Sequence, residues 1–527
     1  MHQNRKILKS AGLVGILTLV SRLFGYLRDV SLAVVLGAGY SMDAFTIAFR
    51  LANLFRRLVG EGAMTASFVP VFAEYREKHS KDELWRFVNQ FFYTLAAVLI
   101  CLMIIQIVFA PTIVGGMSPG FMKSAGKWEL TVFLNRLMAP YIFFVALTAL
   151  MAAILNSMGK FAVSAANPIL FNIAMIAAAF GLSPWFDDPA VGVAIGVVFG
   201  GFLQLIVHIP AAWMNGMRFI PSFSFKHPAI QKVMLLMGPG VFGIGIVQIN
   251  LFVDSIMASF LPEGSVSAIY YANRVEELVL GIFTVSLATV ILPEMSAQAA
   301  KNDQKAMKST LLFSLRMTSF VTIPATVGLV ILSGPITQVL FQHGKFSALD
   351  TERTAFALLF YAVGLFFIAG VRIVVPAFYA VQDTKTPVKC AFISLVVNII
   401  GNWILMHPMK QGGLALATSI AAAINFFQLL NRYQRKFGPL DWGLFRESML
   451  RISVQSIGMA LVAMIFIRLL AFHDQSSAFM RALVLFLTIA LSLLTYFGLA
   501  LLLKSKELEA FRHAHSPDPE AAQADLD

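Results

Sequence analysis

Charge is scarce in this chain: Asp, Glu, Lys and Arg make up 13% of its 527 residues, where a soluble globular protein carries roughly 25%. A single water-soluble core also stops growing at about 250 to 300 residues. Cysteine is nearly absent, and the two present, Cys101 and Cys390, lie far apart in apolar stretches. That excludes a disulfide scaffold and a CxxC metal site. No GxxxxGK[ST] sequence occurs, so ATP does not drive the protein through a P-loop, and no nucleic-acid-binding motif accompanies the net charge of +12. What remains is apolar: 58% of the residues are hydrophobic and the mean hydropathy is +0.77. Lipid is the solvent, and the chain reads as an all-α integral membrane protein.

A helix needs about 20 apolar residues to cross the hydrocarbon. Such stretches fall near 11–36, 44–70, 87–113, 131–156, 163–183 and 190–214, then near 233–261, 266–296, 310–334, 354–381, 386–406, 412–431, 450–472 and 480–503. The chain is therefore expected to cross about fourteen times. Lys and Arg crowd the loops on one side, for example Arg76, Lys78, Lys81 and Arg86, then Lys385, Lys389, Arg432, Arg435 and Lys436. The other side holds few, such as Lys123, Lys127, Lys345 and Lys410. An asymmetry of roughly four to one places both termini in the cytoplasm by the positive-inside rule. The basic start runs through AGLVGILTLV into Ser21-Arg22 with no small-residue cleavage site, so a retained first helix is expected. The polar tail after Lys504 is expected to be disordered.

The chain matches itself at an offset of roughly 220 to 226 residues. Ala52-Asn53 recurs as Ala272-Asn273, Pro70 as Pro293, Phe143-Phe144 as Phe366-Phe367, Asn172 as Asn398 and Gln204-Leu205 as Gln428-Leu429. The shared order implies two pseudo-symmetric six-helix lobes, 1–220 and 221–440, with two extra helices over 441–505 and a tail over 506–527. Six spans per copy give both copies the same orientation and leave a path between them.

Arginine is expensive inside a membrane, at about 2.5 to 3.5 kcal/mol at a helix centre, and usually faces a cavity or a partner. Here it clusters. The first span carries Ser21-Arg22 and Arg28-Asp29, the second Arg56-Arg57 and Glu61, and the eighth Asn273-Arg274 with Glu276-Glu277. Arg57 with Glu61, and Arg274 with Glu277, can meet on one helix face. Arg28 and Asp29 are adjacent and expected to point apart, and Arg22 has no acid within helical reach. The surplus positive charge points to an anionic substrate, because guanidinium forks match phosphate oxygens. A cationic drug would want acids or aromatic faces instead, and a structural scaffold would not need the charges.

A second group, Asp254 with Asn398, Asn402 and Thr418, offers four oxygen-bearing side chains to a hard cation such as Na+. The alternative is a protonated Asp254 hydrogen-bonded to the amides. The loops expected outside are short and carry no paired acids, which argues against an intramembrane glycosyltransferase. His343 has no second His or Cys nearby and reads as a loop residue.

The charged stretches SRLFGYLRD at 21–29, NLFRRLVGEGA at 53–63, FVPVFAEY at 68–75, AILNSMGKF at 153–161, FQHGKF at 341–346 and QDTKTPVK at 382–389 closely resemble the bacterial lipid II flippases, the MurJ or MviN family of the multidrug/oligosaccharidyl-lipid/polysaccharide exporter superfamily. The likeness covers essentially residues 7–503. It implies fourteen helices in two lobes, no catalysis and no resident cofactor. The implied activity is alternating-access transport of lipid II, an undecaprenyl-diphosphate-linked disaccharide pentapeptide, across the bacterial inner membrane for cell-wall synthesis. Lipid II, membrane lipids and cell-wall synthesis proteins are the partners it implies. Substrate contacts carried over from the family fall on Ser21, Arg22, Arg28, Arg56 and Arg274, with Asp29, Asp43, Arg57, Glu61 and Glu277 in support. Asn273 stands where the family pattern has aspartate, leaving Arg274 one acid fewer. The two extra helices are assigned by the same resemblance to a groove for the lipid tail. Other polysaccharide-lipid flippases and drug/cation antiporters of the superfamily are the competing readings.

Overall fold

The computed structural model describes residues 2–57, 64–470, 472 and 477–513. Among them there is no strand. The helices are α1 (His2–Leu36), α2 (Tyr40–Phe55), α3 (Met64–Lys78), α4 (Lys81–Val108), α5 (Ala110–Met117), α6 (Lys127–Met138), α7 (Pro140–Ser157), α8 (Phe161–Gly181) and α9 (Pro189–Met214). They continue as α10 (Pro228–Ser259), α11 (Ser265–Ala300), α12 (Gln304–Phe341), α13 (Ala348–Ala380), α14 (Lys385–Phe437), α15 (Trp442–Leu469), α16 (Ala478–Leu502) and α17 (Lys506–His513). Nine helical stretches among the described residues are long and apolar enough to cross a membrane. Helix also occupies the described parts of the other expected spans, so the chain is an all-α membrane protein.

Short polar signals start these helices. Ser80 accepts from the Glu83 amide while the Glu83 carboxylate accepts from the Ser80 amide at 3.0 Å, a reciprocal cap for α4. Asp188 and His227 cap α9 and α10, each followed by a proline whose missing N–H costs nothing in the first turn. The spans expected at 386–406 and 412–431 are two helices within α14, separated by a break at Lys410 (φ 48°, ψ −129°), just after Pro408. The chain turns back there, so that Asn398 meets Thr418.

The chain divides into two compact units, Met1–Ser267 with His343–Ser347, and Ala268–Gln342 with Ala348–Asp527. The dividing point differs from the 220/221 position suggested by the repeat, because α10 packs against α3, α4 and α5 of the first unit.

In the first unit, Phe68, Phe72, Phe87 and Phe91 are all fully buried, with Phe68 and Phe91 ring centroids 5.3 Å apart. Helices α8 and α9 meet where a methyl group at Gly196 would come within 2.4 Å of the Ala178 Cβ. A small residue is what permits that approach. The segment His343–Ser347 joins this unit through its backbone: the Lys345 amide donates to the Val34 carbonyl at 2.9 Å. Gly37 and Gly344, at φ +70° and +59°, let the two backbones touch.

In the second unit, Ile291, Met295, Leu311, Phe378 and Tyr433 form a buried core shared by α11 to α14. Helices α15 and α16 pack on α12 around Phe320 and Tyr496. Pro324 lies one turn after Phe320 and has no N–H, so the Phe320 carbonyl loses its helical donor. The Tyr496 hydroxyl replaces it at 2.7 Å. At the end of the bundle, Glu507 of α17 is 1% exposed and accepts from Arg316 Nε and Nη2 at 2.8 and 2.7 Å and from Ser448 Oγ at 2.6 Å.

Candidate functional site

The charged stretch of α1 faces α8. Ser21, Gly25 and Arg28 are spaced by four and three residues and so share one face of the helix. Asn172 of α8 lies against that face, with its Nδ2 only 3.5 Å from where a Cβ on Gly25 would stand. It donates to the Ser21 carbonyl at 3.3 Å and accepts from Arg28 Nη1 at 3.0 Å. Asp29 Oδ1 accepts from Arg28 Nε at 3.1 Å and Nη2 at 2.8 Å. The expectation that Arg28 and Asp29 point apart is therefore corrected. The arginine stem is long enough to fold its guanidinium back along the helix onto the neighbouring carboxylate, and a 12% exposed cation needs a partner more than an extended one does. Arg22, nearly two turns earlier on α1, is exposed and makes no hydrogen bond or ion pair with any described residue.

Helix α2 ends in a widened turn. There Arg56 Nε donates to Asn53 Oδ1 at 2.6 Å, and Arg57 follows half-buried. Glu61, the expected partner of Arg57, lies outside the described residues, as do Gly60 and Gly62. At the other end of α2, Asp43 is the hub of a sealed network that the sequence reading placed only as a supporting position. Lys127 Nζ donates to its Oδ2 at 2.7 Å, with both side chains at most 3% exposed. The amides of Gly264 and Ser267 each donate to Asp43 at 2.8 Å. Lys127 looked like an ordinary loop lysine.

Arg50 was also missed. It reaches from α2 to the Ser255 hydroxyl of α10, beside the turn that carries buried Asp254. Asp254 belongs to the first unit, whereas Asn398, Asn402 and Thr418 belong to the second. Those three form a chain: Asn402 donates to Asn398 at 3.0 Å and Asn398 donates to the Thr418 hydroxyl at 3.2 Å. No group of three or more His, Cys, Asp or Glu capable of holding a metal occurs among the described residues.

In the second unit, Arg274 Nη1 donates to Glu277 Oε2 at 2.7 Å and its guanidinium lies 4.9 Å from the Tyr270 ring centroid. This is the i, i+3 pairing expected from the sequence. Asn273, the departure from the family pattern, donates to Glu276 at 3.2 Å and so serves a different acid. The repeated motifs occupy matching helices. Phe143 and Phe144 of α7 form an edge-on ring pair at 5.6 Å, and Phe366 and Phe367 of α13 form one at 5.3 Å.

Comparison with known proteins gives a consistent result. A family model described as lipid II flippase MurJ matches residues 32–494. A curated relative from Vibrio cholerae, named a probable lipid II flippase MurJ, is 38% identical over 429 residues, covering 80% of this chain and 82% of the relative. A solved structure titled lipid II flippase MurJ, inward closed conformation, superposes with a TM-score of 0.76 at 29% identity, covering 92% of this chain and 99% of that one. An inward-facing multidrug transporter of the MATE family aligns at a TM-score of 0.64 and 13% identity over 82% of this chain and 95% of its own, a likeness of fold alone.

Proposed function

The chain belongs to the lipid II flippase MurJ family, and from that premise we propose that it moves lipid II from the cytoplasmic to the periplasmic leaflet of the bacterial inner membrane by alternating access. The observation that carries this reading is the constrained guanidinium of Arg28, held by Asp29 and Asn172 within an apolar span. An ionisable group kept in an apolar span is by default a functional one, and Asp29 and Asn172 fix this fork in one orientation. In the first unit Arg28, with Arg22 and Arg56, is the candidate contact for the diphosphate, and Ser21 lies on the Arg28 face of α1; in the second unit the candidate contact is Arg274. Asp29 and Glu277 hold their arginines in place, and Asp43 anchors one end of α2. Both termini face the cytoplasm, as the distribution of basic loops requires. Helices α15 and α16 offer the lipid tail an apolar surface, and cell-wall synthesis proteins are the consumers of the product.

Membrane potential supplies the drive. Moving one negative charge outward from a negative cytoplasm is favoured by about 2.3 kcal/mol per 100 mV. Sodium is the accompanying ion in this reading, with the linked oxygen-bearing side chains of Asn398, Asn402 and Thr418 in the second unit as its candidate ligands and Asp254 of the first unit as a separate candidate acid. Unchanged, sodium-independent transport in Asp254→Ala discards the sodium assignment.

The deciding experiment is depletion of the protein in living cells with a leaflet-resolved assay for lipid II. Accumulation on the cytoplasmic side, reversed by the wild-type chain, is expected. Normal lipid II distribution after depletion in cells with no second flippase overturns the proposal.

A further inference from the structure

Glu276 has no role in the substrate reading, yet it is the more deeply buried acid of its pair. Its side chain belongs to a residue only 2% exposed. One oxygen, Oε2, accepts from Asn273 Nδ2 at 3.2 Å, and the other, Oε1, has no hydrogen-bond partner among the described residues. No ion pair with a described residue involves it. The charges that reach it are those of Glu277 on its own helix, a like charge, and Arg372 on α13, an opposite one. Glu277 is already paired with Arg274, and Arg372 is exposed and makes no hydrogen bond to Glu276.

An ionised carboxylate taken out of water needs a cation in contact and several donors, and a single neutral amide supplies neither. A carboxylic acid needs far less, because it carries no net charge. Asn273 can donate to the acid in either state, whereas an aspartate at that position would add a second negative charge three residues away.

We propose that Glu276 is a proton-binding site of the second unit. A proton from solvent bonds to Oε1, the carboxylate becomes a neutral acid, and no other bond changes. The proton is held while the side chain is buried as here and leaves when water reaches that face of α11. Its consequence for transport, a dependence of rate on pH, rests on the flippase reading.

Infrared difference spectroscopy of the purified full-length chain in lipid nanodiscs tests the site without using transport. At neutral pH the wild type is expected to show a protonated-carboxyl carbonyl band that shifts when glutamate is isotopically labelled. The band should disappear at high pH, be absent in Glu276→Gln and persist in Glu277→Gln. Labelling in the wild type keeps the test valid if Glu276→Gln folds poorly. A wild type with no glutamic-acid band at neutral pH, or a band that survives in Glu276→Gln, overturns the proposal. In liposomes, lipid II flipping by the wild type should change several-fold between about pH 6 and pH 9, the range into which buried carboxyls move, and that dependence should vanish in Glu276→Gln. A pH profile identical in the two proteins overturns the link to transport. A wild type that moves no lipid II at any pH overturns the flippase reading and leaves the infrared result standing.

Discussion

Arg28 of α1 donates to the side-chain oxygen of Asn172 of α8 at 3.0 Å, across 144 residues of sequence. The same amide holds the Ser21 carbonyl, so one asparagine fixes both the helix and the guanidinium on it. A hydrogen bond to a charged group contributes about 1.5 to 3 kcal/mol. Asn172→Ala is therefore expected to weaken lipid II binding by about tenfold or more at normal membrane levels. Arg28→Ala should abolish flipping, and Arg28→Lys should restore only part of it because the planar fork is lost. Binding and flipping assays on the same preparations check all three.

The Asp43–Lys127 pair is sealed from water, and removing one member of such a pair leaves a buried charge. Lys127→Met should destabilise the protein by about 3 to 5 kcal/mol. The double variant Asp43→Asn with Lys127→Met should recover part of that loss, as measured by unfolding in detergent. Equal stability of single and double variants would show that the pair is not coupled.

Tyr496 donates to the carbonyl that Pro324 leaves without a helical partner. Tyr496→Phe should cost about 1 to 3 kcal/mol, the penalty for an unsatisfied buried group. Pro324→Ala supplies an N–H at that turn, so the same tyrosine substitution made in the Pro324→Ala background should cost clearly less. A double-mutant cycle on thermal unfolding measures the difference.

Glu507 ties α17 to Arg316 of α12 and Ser448 of α15. Glu507→Ala strands a guanidinium whose side chain is 12% exposed and should destabilise the protein by several kcal/mol. Proteolysis near 504–506 in native membranes should accelerate in the variant and remain slow in the wild type.

On the loop between α13 and α14, the Lys436 ammonium beside Asp383 at 2.7 Å, with help from Thr386, holds the Asp383 carboxyl at about 2, down from 3.8. A carboxyl depressed on folding adds stability above its ordinary value, and that contribution is lost as pH falls through the folded value. Stability should therefore fall between about pH 4 and pH 2, and Lys436→Ala should flatten that part of the profile. A pH series of melting temperatures for the two proteins reads the effect.

The Arg274–Glu277 pair was legible from spacing alone, because residues three apart on a helix are neighbours whatever surrounds them. The Arg28–Asp29 contact was misread for the complementary reason. Adjacent residues leave a helix in different directions, and only burial gives a long side chain cause to bend back. Lys127 as the partner of Asp43 could not be read at all, since 84 residues of chain separate them.

The sequence by itself determined that this chain lives in a membrane as helices, and where its intramembrane charges fall. Lipid imposes those outcomes locally, through apolar length and the cost of each ionised group. The tertiary structure alone decided which polar group meets which, that α10 joins the first unit, and that a distant tyrosine answers the carbonyl a nearby proline leaves without a donor. Those outcomes depend on contacts between helices. Local pattern sets each helix, but the match of one helix surface to another, far along the chain, selects the partners.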